Sequence, residues 1–444
     1  MEDTFKEHIA RNFPFLGRDP VLVASSGGLD SVVLTYLCKV VCGFETAIAH
    51  CNFQLRGEES ERDARFVESL SEKWNLPVFT KRFDTKTYAQ TNSVSTQVAA
   101  RELRYTWFYE LIETHGYRYL LTGHHADDNL ETFLINLSRG TGLDGLTGIP
   151  SVNGNVVRPM LPFSREAIET YAREKKLEWV EDSSNRDTKY LRNKIRHEVI
   201  PGLKGLNTTL IQNFNKTLEY LSGSASILED HVNAMRSALF RKEDGLVKIP
   251  VASLKNLDPT GAYLYAFFHR YGFTEWQDVE HLLHGQTGKK VLSATHRLFR
   301  DRDYLILQKL EDLENDQATA YVIRKKNTRF LGPVTLSFEQ VDAITHTGKD
   351  VIYIDEGKLS YPLKLRKWQP GDRFEPFGLK GSKKLSKFFK DEKYSMADKE
   401  RQWLLCDAQD RIVWVIGKRA DNRFRVDEYT EEILRIRNHT RYEN

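Results

Sequence analysis

The chain reads as an α/β protein: a first domain on a mainly parallel sheet, then a small helical domain, then an α+β C-terminal domain. Three observations carry that reading. Short apolar runs at 21–24, 46–51, 78–82 and 119–123 alternate with segments of helical period, the pattern of βαβ units. From 207 to 240, Leu210, Ile211, Phe214, Leu218 and Leu221 recur mostly at helix-core spacing, and two further helices fit 262–271 and 276–283. Past short strands within 291–310 and an acidic linker at 311–317, β-type runs resume at 321–338 and 351–365. The expected domains are 1–205, 206–312 and 313–444.

Taken in order, the first strand runs into Ser25, Ser26, Gly27 and Gly28, and Asp30 and Ser31 then open an apolar-periodic helix. The second strand ends in Asn52-Phe53-Gln54-Leu55-Arg56. A helix follows with Ala64, Phe66, Val67, Leu70 and Trp74 on one face. Pro77 precedes the third strand, 93–115 reads as one long helix closed by Gly116, and the fourth strand leads into Gly123-His124-His125. Ligands of such sheets lie at the carboxyl ends of the strands, where the loop 25–31, Asn52 and His124 all fall.

Composition narrows the class. The 444 residues are 40% hydrophobic and 29% charged, an ordinary soluble mixture, and the net charge of +3 means that any nucleic-acid signal is local. An acidic start without an apolar core, and no run near the ~18 apolar residues of a membrane helix, predict a cytoplasmic protein with no signal peptide and no membrane partner. Cys38, Cys42, Cys51 and Cys406 form no C-x-x-C pair and no zinc spacing, so reduced, buried thiols are expected. Oligomeric state is not readable.

Two stretches carry chemistry. In the first, adjacent glycines at the strand-to-helix turn let an anion approach the helix N-terminus, and phosphate is the natural guest. No lysine follows Gly28 as a Walker loop requires. In the second, Asp127 and Asp128 open a helix, and Asp128 and Glu131, three apart, share a face. Such carboxylates could hold magnesium or a cationic substrate, or simply cap the helix. Further on, Arg192 and Arg196 are four apart on one helical face, either solvated or set to neutralise ATP or RNA phosphates.

Ser26-Gly27-Gly28-Leu29-Asp30-Ser31 resembles the S-G-G-x-D-S loop of the PP-loop ATP pyrophosphatases. That likeness implies a Rossmann-like PP-loop domain, with the loop on the pyrophosphate half of ATP and Asp30 helping to bind Mg2+. With Gly123 to Thr132, Arg139 to Gly145, Arg158-Pro159-Met160-Leu161, Glu181-Asp182-Ser183-Ser184-Asn185 and Arg192 to Arg196 in this order, the chain resembles the tRNA(Ile)-lysidine synthetases. Those enzymes adenylate C2 of the wobble cytidine in the CAU anticodon of an isoleucine tRNA, and the lysine amine then displaces AMP. The resemblance implies ATP binding by Ser26, Gly27, Gly28, Leu29, Asp30 and Ser31. It implies lysine ammonium binding by Asp128 and Glu131, and positioning or charge stabilisation by His124 and Arg192. Asp127 becomes a magnesium or cap residue. Many relatives carry a histidine where this chain has Phe53, so that histidine's role does not transfer, while Asn52 and Arg56 stay with the ATP site.

The C-terminal segment Lys380 to Lys393 holds six lysines with Phe388 and Phe389 among them, as a phosphate-backbone contact needs, although a solvated face over buried phenylalanines would read the same. The resemblance extends here and implies tRNA contact through Lys383, Lys384, Lys387, Arg419 and Arg423, with Arg196 adding to it from the first domain. Three rivals differ in chemistry. A tRNA thiolase would need persulfide cysteines or a cluster. A tRNA-binding protein with an inactive ATP loop would not need the acidic residues. An amidotransferase-like synthetase would need a glutaminase domain, and none is apparent.

Overall fold

The computed structural model describes residues 1–181, 191–243, 246–311, 320–379 and 381–440. The Asp182-to-Asn185 part of the fifth motif, most of the acidic linker and Lys380 lie outside them. The chain divides into two compact units, Met1–Glu229 and Asp230–Asn444, the division falling within the helix Leu210–Leu239.

The first unit is built on six strands: β1 Val21–Ala24, β2 Thr46–Asn52, β3 Val78–Arg82, β4 Tyr119–Leu121, β5 Val152–Asn153 and β6 Val156–Val157, in the order β3-β2-β1-β4-β6-β5. All neighbours are parallel except the β5–β6 pair. Strand side chains alternate between faces. Val21 and Val23 join a core with the helices Glu2–Asn12, Leu29–Tyr36 and Arg165–Glu174, while Leu22, Ala47 and Ala49 pack under Trp107, Phe108, Leu111 and Ile112. Each fully buried valine or leucine among these contributes about 1.5–3 kcal/mol. Strand order reverses between β1 and β4, and a crevice opens outside their carboxyl ends.

The helix expected over 93–115 begins later, as Thr96–His115, with Ser95 Oγ accepting from Val98 N at 3.3 Å. A separate short helix, Thr85–Thr91, precedes it, and Ser93, at φ +54°, breaks the two apart.

The second unit opens with the helical segment and a five-stranded antiparallel sheet, of which only the strands within 291–310 were expected. Arg241–Glu243 is exposed throughout, so it gives no apolar signal. Two further antiparallel sheets, of five and four strands, enclose a core around Trp414, Phe424 and Ile436. Among the described residues no helix is long and apolar enough to cross a membrane.

Candidate active site

β1 ends in a loop that its own side chains fold. Buried Ser25 donates from Oγ to Ser31 Oγ (3.2 Å) and accepts from Gly27 N (3.3 Å), and Ser31 Oγ donates to Gly28 O (2.9 Å). Gly27 stands at φ +81°, and a Cβ there would come within 3.0 Å of Val180 and 3.2 Å of Phe66. Val180 N donates to Gly27 O at 2.9 Å, tying the chain before the fifth motif across the loop. His50 Nδ1 donates to Ser25 O from β2 (2.9 Å). The loop feeds the N-terminus of Leu29–Tyr36, where unpaired N–H groups and the helix dipole favour an anion. From the other side Gly123 presses on the same turn. A Cβ on it would lie 3.0 Å from the carbonyl carbon of Asp30 and 3.2 Å from Ser31 N, backbone that has no room to move.

The helix Ala126–Arg139 begins with a capping box in which His125 N donates to Asp128 Oδ2 (3.1 Å) and Asp128 N donates to His125 Nδ1 (3.4 Å). The remaining ring nitrogen of His125, Nε2, faces Asp30 and Asp128 at 3.7 and 3.5 Å. Asp127 accepts from Arg165 N (2.8 Å) and Lys204 Nζ (2.6 Å). Burial acts to raise its pKa, but these two bonds outweigh it and leave the carboxyl below its ordinary value. Asp30 differs. Burial raises its pKa, Oδ2 pairs with Arg165 Nη1 at 3.0 Å, and Oδ1 is buried with no hydrogen-bond partner.

Behind the aspartates lies Glu131, its side chain 1% exposed. Arg196 reaches it with Nε at 2.5 Å and Nη2 at 3.0 Å, and reaches Asp128 with Nη2 at 3.2 Å. Arg192 Nε lies 3.4 Å from Glu131, and its Nη2 donates to Thr132 Oγ1 at 2.7 Å. Packing of Leu130, Ile195, Ile200, Phe214 and Leu218 holds the arginine-bearing segment against the acidic helix, and a π-type turn over Ile195–Val199 helps to present Arg196. Burial raises the pKa of Glu131 despite these cations. His124, with Nδ1 2.9 Å from Thr122 Oγ1, is pushed down by burial to about 4 and is neutral near pH 7.

One cavity of about 640 Å³ joins these parts. Ser26, Gly28, Leu29, Asp30, Ser31, His124, Asp128, Arg192 and Arg196 line it, among the expected residues. Glu131 and Asp127 stand behind the wall. Asn52 and Arg56 do not line it: Asn52 donates to Glu61 Oε1 (2.9 Å) and Arg56 to Asp63 Oδ2 (3.0 Å), bracing the next helix. Phe53 takes the wall position, stacked on Phe83, with Arg104 over its ring at 5.1 Å. Arg165, Arg104, Tyr105 and Phe108 also line this wall and His125 lies between the carboxylates, all five beyond the expected site residues. Doubled histidines at a strand end signalled His125, whereas Arg165 is 135 residues from Asp30 and no spacing links them.

In the second unit the helix Leu385–Asp391 buries Phe388 and Phe389 in its core, so these rings are not available to stack on bases. Lys384 and Lys387 are exposed, Lys383 pairs with Asp391 at 2.6 Å, and Arg419 donates to Phe377 O at 3.2 Å. Arg423 is held by both oxygens of the buried Asp421, at 3.0 and 2.7 Å.

Parallel sheet, glycine loop and acidic crevice define an ATP-using enzyme of the PP-loop class, and residues 1–203 match the PP-loop domain model. Residues 242–310 match the TilS substrate binding domain and 363–437 the TilS substrate C-terminal domain. A tRNA(Ile)-lysidine synthase of Parabacteroides distasonis is 40% identical over 421 residues, covering 94% of each chain. One from Bacteroides thetaiotaomicron is 38% identical over 431 residues, covering 97% of this chain and 96% of that one. A solved U34-tRNA thiolase from Methanococcus maripaludis matches 49% of this chain and 77% of its own at 16% identity and a TM-score of 0.40. The chain belongs to the tRNA(Ile)-lysidine synthase family.

Proposed function

We propose that this chain joins L-lysine to C2 of the wobble cytidine of the CAU-anticodon isoleucine tRNA, using ATP, in the cytoplasm. The observation that carries the reading is one cavity in which a phosphate-accepting loop meets an acid–arginine cluster. Cytidine O2 attacks the α-phosphorus of ATP, the α–β anhydride bond breaks, and pyrophosphate leaves. The neutral ε-amine of lysine then attacks C2, the C2–O bond breaks, AMP leaves, and the amine proton passes to solvent.

The loop 25–31 holds the pyrophosphate half of ATP. The orphaned Asp30 Oδ1 suits Mg2+, which binds through one or two carboxylates and the substrate phosphates. Bound there, the ion would screen phosphate charge. Asp127, its oxygens engaged by Arg165 and Lys204, serves as an anchor. Asp128 faces the cavity and receives an ammonium group of lysine. Glu131 contributes from behind by holding Arg192 and Arg196 through their Nε and Nη2 edges, which leaves their Nη1 groups to meet the lysine carboxylate. His124, being neutral, positions by hydrogen bonding rather than by charge.

The arrangement into a catalytic domain (1–205), a middle domain (206–312) and a tRNA-binding C-terminal domain (313–444) is part of the same proposal, supported by the spans of the three matched models. The test uses purified protein, ATP, Mg2+, labelled lysine and unmodified tRNAs, with Asp30→Ala as control. The expected result is label in the CAU isoleucine tRNA alone, one AMP per lysine, and none with the variant. Sulfur incorporation instead of lysine would move the assignment to a thiolase, and tRNA binding without either transfer to a binding protein.

A further inference from the structure

We infer that Arg165 is a further catalytic residue, one that exchanges Asp30 for the pyrophosphate group of ATP. The inference rests on the adenylation reading above and names a residue for its first step.

Arg165 is anchored at its base and open at its tip. Its backbone N–H donates to Asp127 Oδ2 at 2.8 Å, Asp127 is itself held by Lys204 at 2.6 Å, and Ser164 caps the helix start by accepting from Ala167 N at 3.2 Å. The side chain is 48% exposed and lines the cavity beside Ser26, Gly28 and Ser31. Among the described residues its one side-chain partner is Asp30 Oδ2, at 3.0 Å through Nη1. A guanidinium has five N–H donors in a planar fork suited to two phosphate oxygens, so most of its capacity is unspent.

Asp30 explains why that pair is built to part. Its second oxygen is buried, with His125 Nε2 at 3.7 Å and no hydrogen bond made. A carboxylate with one orphaned oxygen and one arginine is under-satisfied, and a cation arriving with ATP would draw it away. Arg165 would then face a tetra-anionic nucleotide across the loop. Charge that moves onto the β-phosphate as the α–β bond breaks is met by a fork already within reach, with no cation to be brought in from solvent. In this structure the same guanidinium pairs with Asp30, so neither charge stands alone in the crevice.

The test compares wild type with Arg165→Ala and Arg165→Lys, by calorimetric titration with inorganic pyrophosphate, AMP and a non-hydrolysable ATP analogue, beside single-turnover adenylation. Thermal melts verify folding of both variants. Expected for Arg165→Ala are pyrophosphate affinity about tenfold weaker or more, unchanged AMP affinity, and adenylation slower by about 100-fold. Arg165→Lys should recover part of the affinity, since charge is kept and the fork is lost. Unchanged pyrophosphate affinity in a folded Arg165→Ala protein overturns the inference, and so does an equal loss for AMP, which would mean that the residue only shapes the loop. If Arg165→Ala fails to fold, Arg165→Lys decides alone, and pyrophosphate affinity equal to wild type overturns the inference. If the wild type itself releases no pyrophosphate with tRNA, the functional reading has failed instead.

Discussion

Replacing Arg196 with alanine tests whether Glu131 is the keystone of the acidic wall. The side chain of Glu131 is 1% exposed and that of Arg196 31%, so the pair is asymmetric: the carboxylate is sealed in and the guanidinium covers it. Removing the cover leaves Glu131 with Arg192 Nε at 3.4 Å as its remaining cation among the described residues. Breaking a buried pair costs about 3–5 kcal/mol, and the surviving arginine places the loss near the lower figure, about 3 kcal/mol. That corresponds to roughly a 150-fold larger opening equilibrium for the helix Ala126–Arg139.

Hydrogen exchange on peptides covering that helix reads the change directly. The loss also has a sign in pH. Burial already raises the pKa of Glu131 in the folded enzyme, and without Arg196 it rises further. The folded variant then holds a proton that the unfolded chain releases above the ordinary carboxylate range, so stability falls as pH rises through that window. The penalty should be smaller at about pH 5 than at about pH 8, and Glu131→Gln combined with Arg196→Ala should recover much of it. A change below about threefold, or a double variant no better than the single one, would refute the buried-charge argument.

Other outcomes follow from single contacts. Gly123→Ala places a Cβ 3.0 Å from the carbonyl carbon of Asp30, so it should cost about 1–3 kcal/mol in thermal denaturation and weaken ATP binding. His124, held near pKa 4 by burial, should contribute no ionisation to the pH–rate profile between about pH 6 and 8. Because the unfolded chain takes up that proton near pH 6.5 and the folded one does not, its contribution to stability is lost as pH falls from about 6.5 toward 4, as pH-dependent denaturation would read. Lys384→Ala with Lys387→Ala should weaken tRNA binding and flatten its salt dependence, and should do so more than Lys383→Ala, whose lysine is tied to Asp391 at 2.6 Å. Cys51→Ala should leave lysine transfer within about twofold of wild type in the labelled-lysine assay, since the half-buried thiol is held protonated by desolvation.

Local features were legible and convergent ones were not. Strands β1 to β4 and the loop between β1 and its helix follow from runs and glycines a few residues long, whose physics is complete in the segment itself. Asp128 and Glu131 share a face by helical period alone. Their occupants could not be read. Arg196 looked like an outward cation because spacing gives a face, not the element packed against it, and the packing of Leu130 with Ile195 turns it inward. Arg165 meets Asp30 through tertiary folding. Phe388 and Phe389 fit two patterns equally, and burial of Phe374, Leu385 and Tyr394 around them decides for the core. Asn52 and Arg56 sit at a strand end as expected, yet Gln54 at φ +52° turns the chain so that Phe53 reaches the wall in their stead.

The same cavity separates amine from sulfur chemistry. A sulfur carrier works as a thiolate, and of the four cysteines only Cys51 lines the wall. Burial holds its pKa up to about 12, the nearby Arg104 and Lys81 lowering it too little to matter. Cys38 is sealed in the core and Cys406 belongs to the other unit. Nothing pairs with Cys51 to resolve a persulfide, and among the described residues no cluster of three or more acidic, histidine or cysteine side chains is arranged to hold a metal. An amine nucleophile asks for none of this. It arrives on the substrate, and the wall needs only to hold the ammonium and carboxylate at its other end while the ε-nitrogen sheds its proton. Asp128 backed by Arg192, Arg196 and Glu131 is a wall of that kind, and His125 Nε2 faces both Asp128 and the Asp30 of the phosphate loop. On the proposed reading, the loop accounts for the use of ATP and the charged wall for an amino acid as the second reactant.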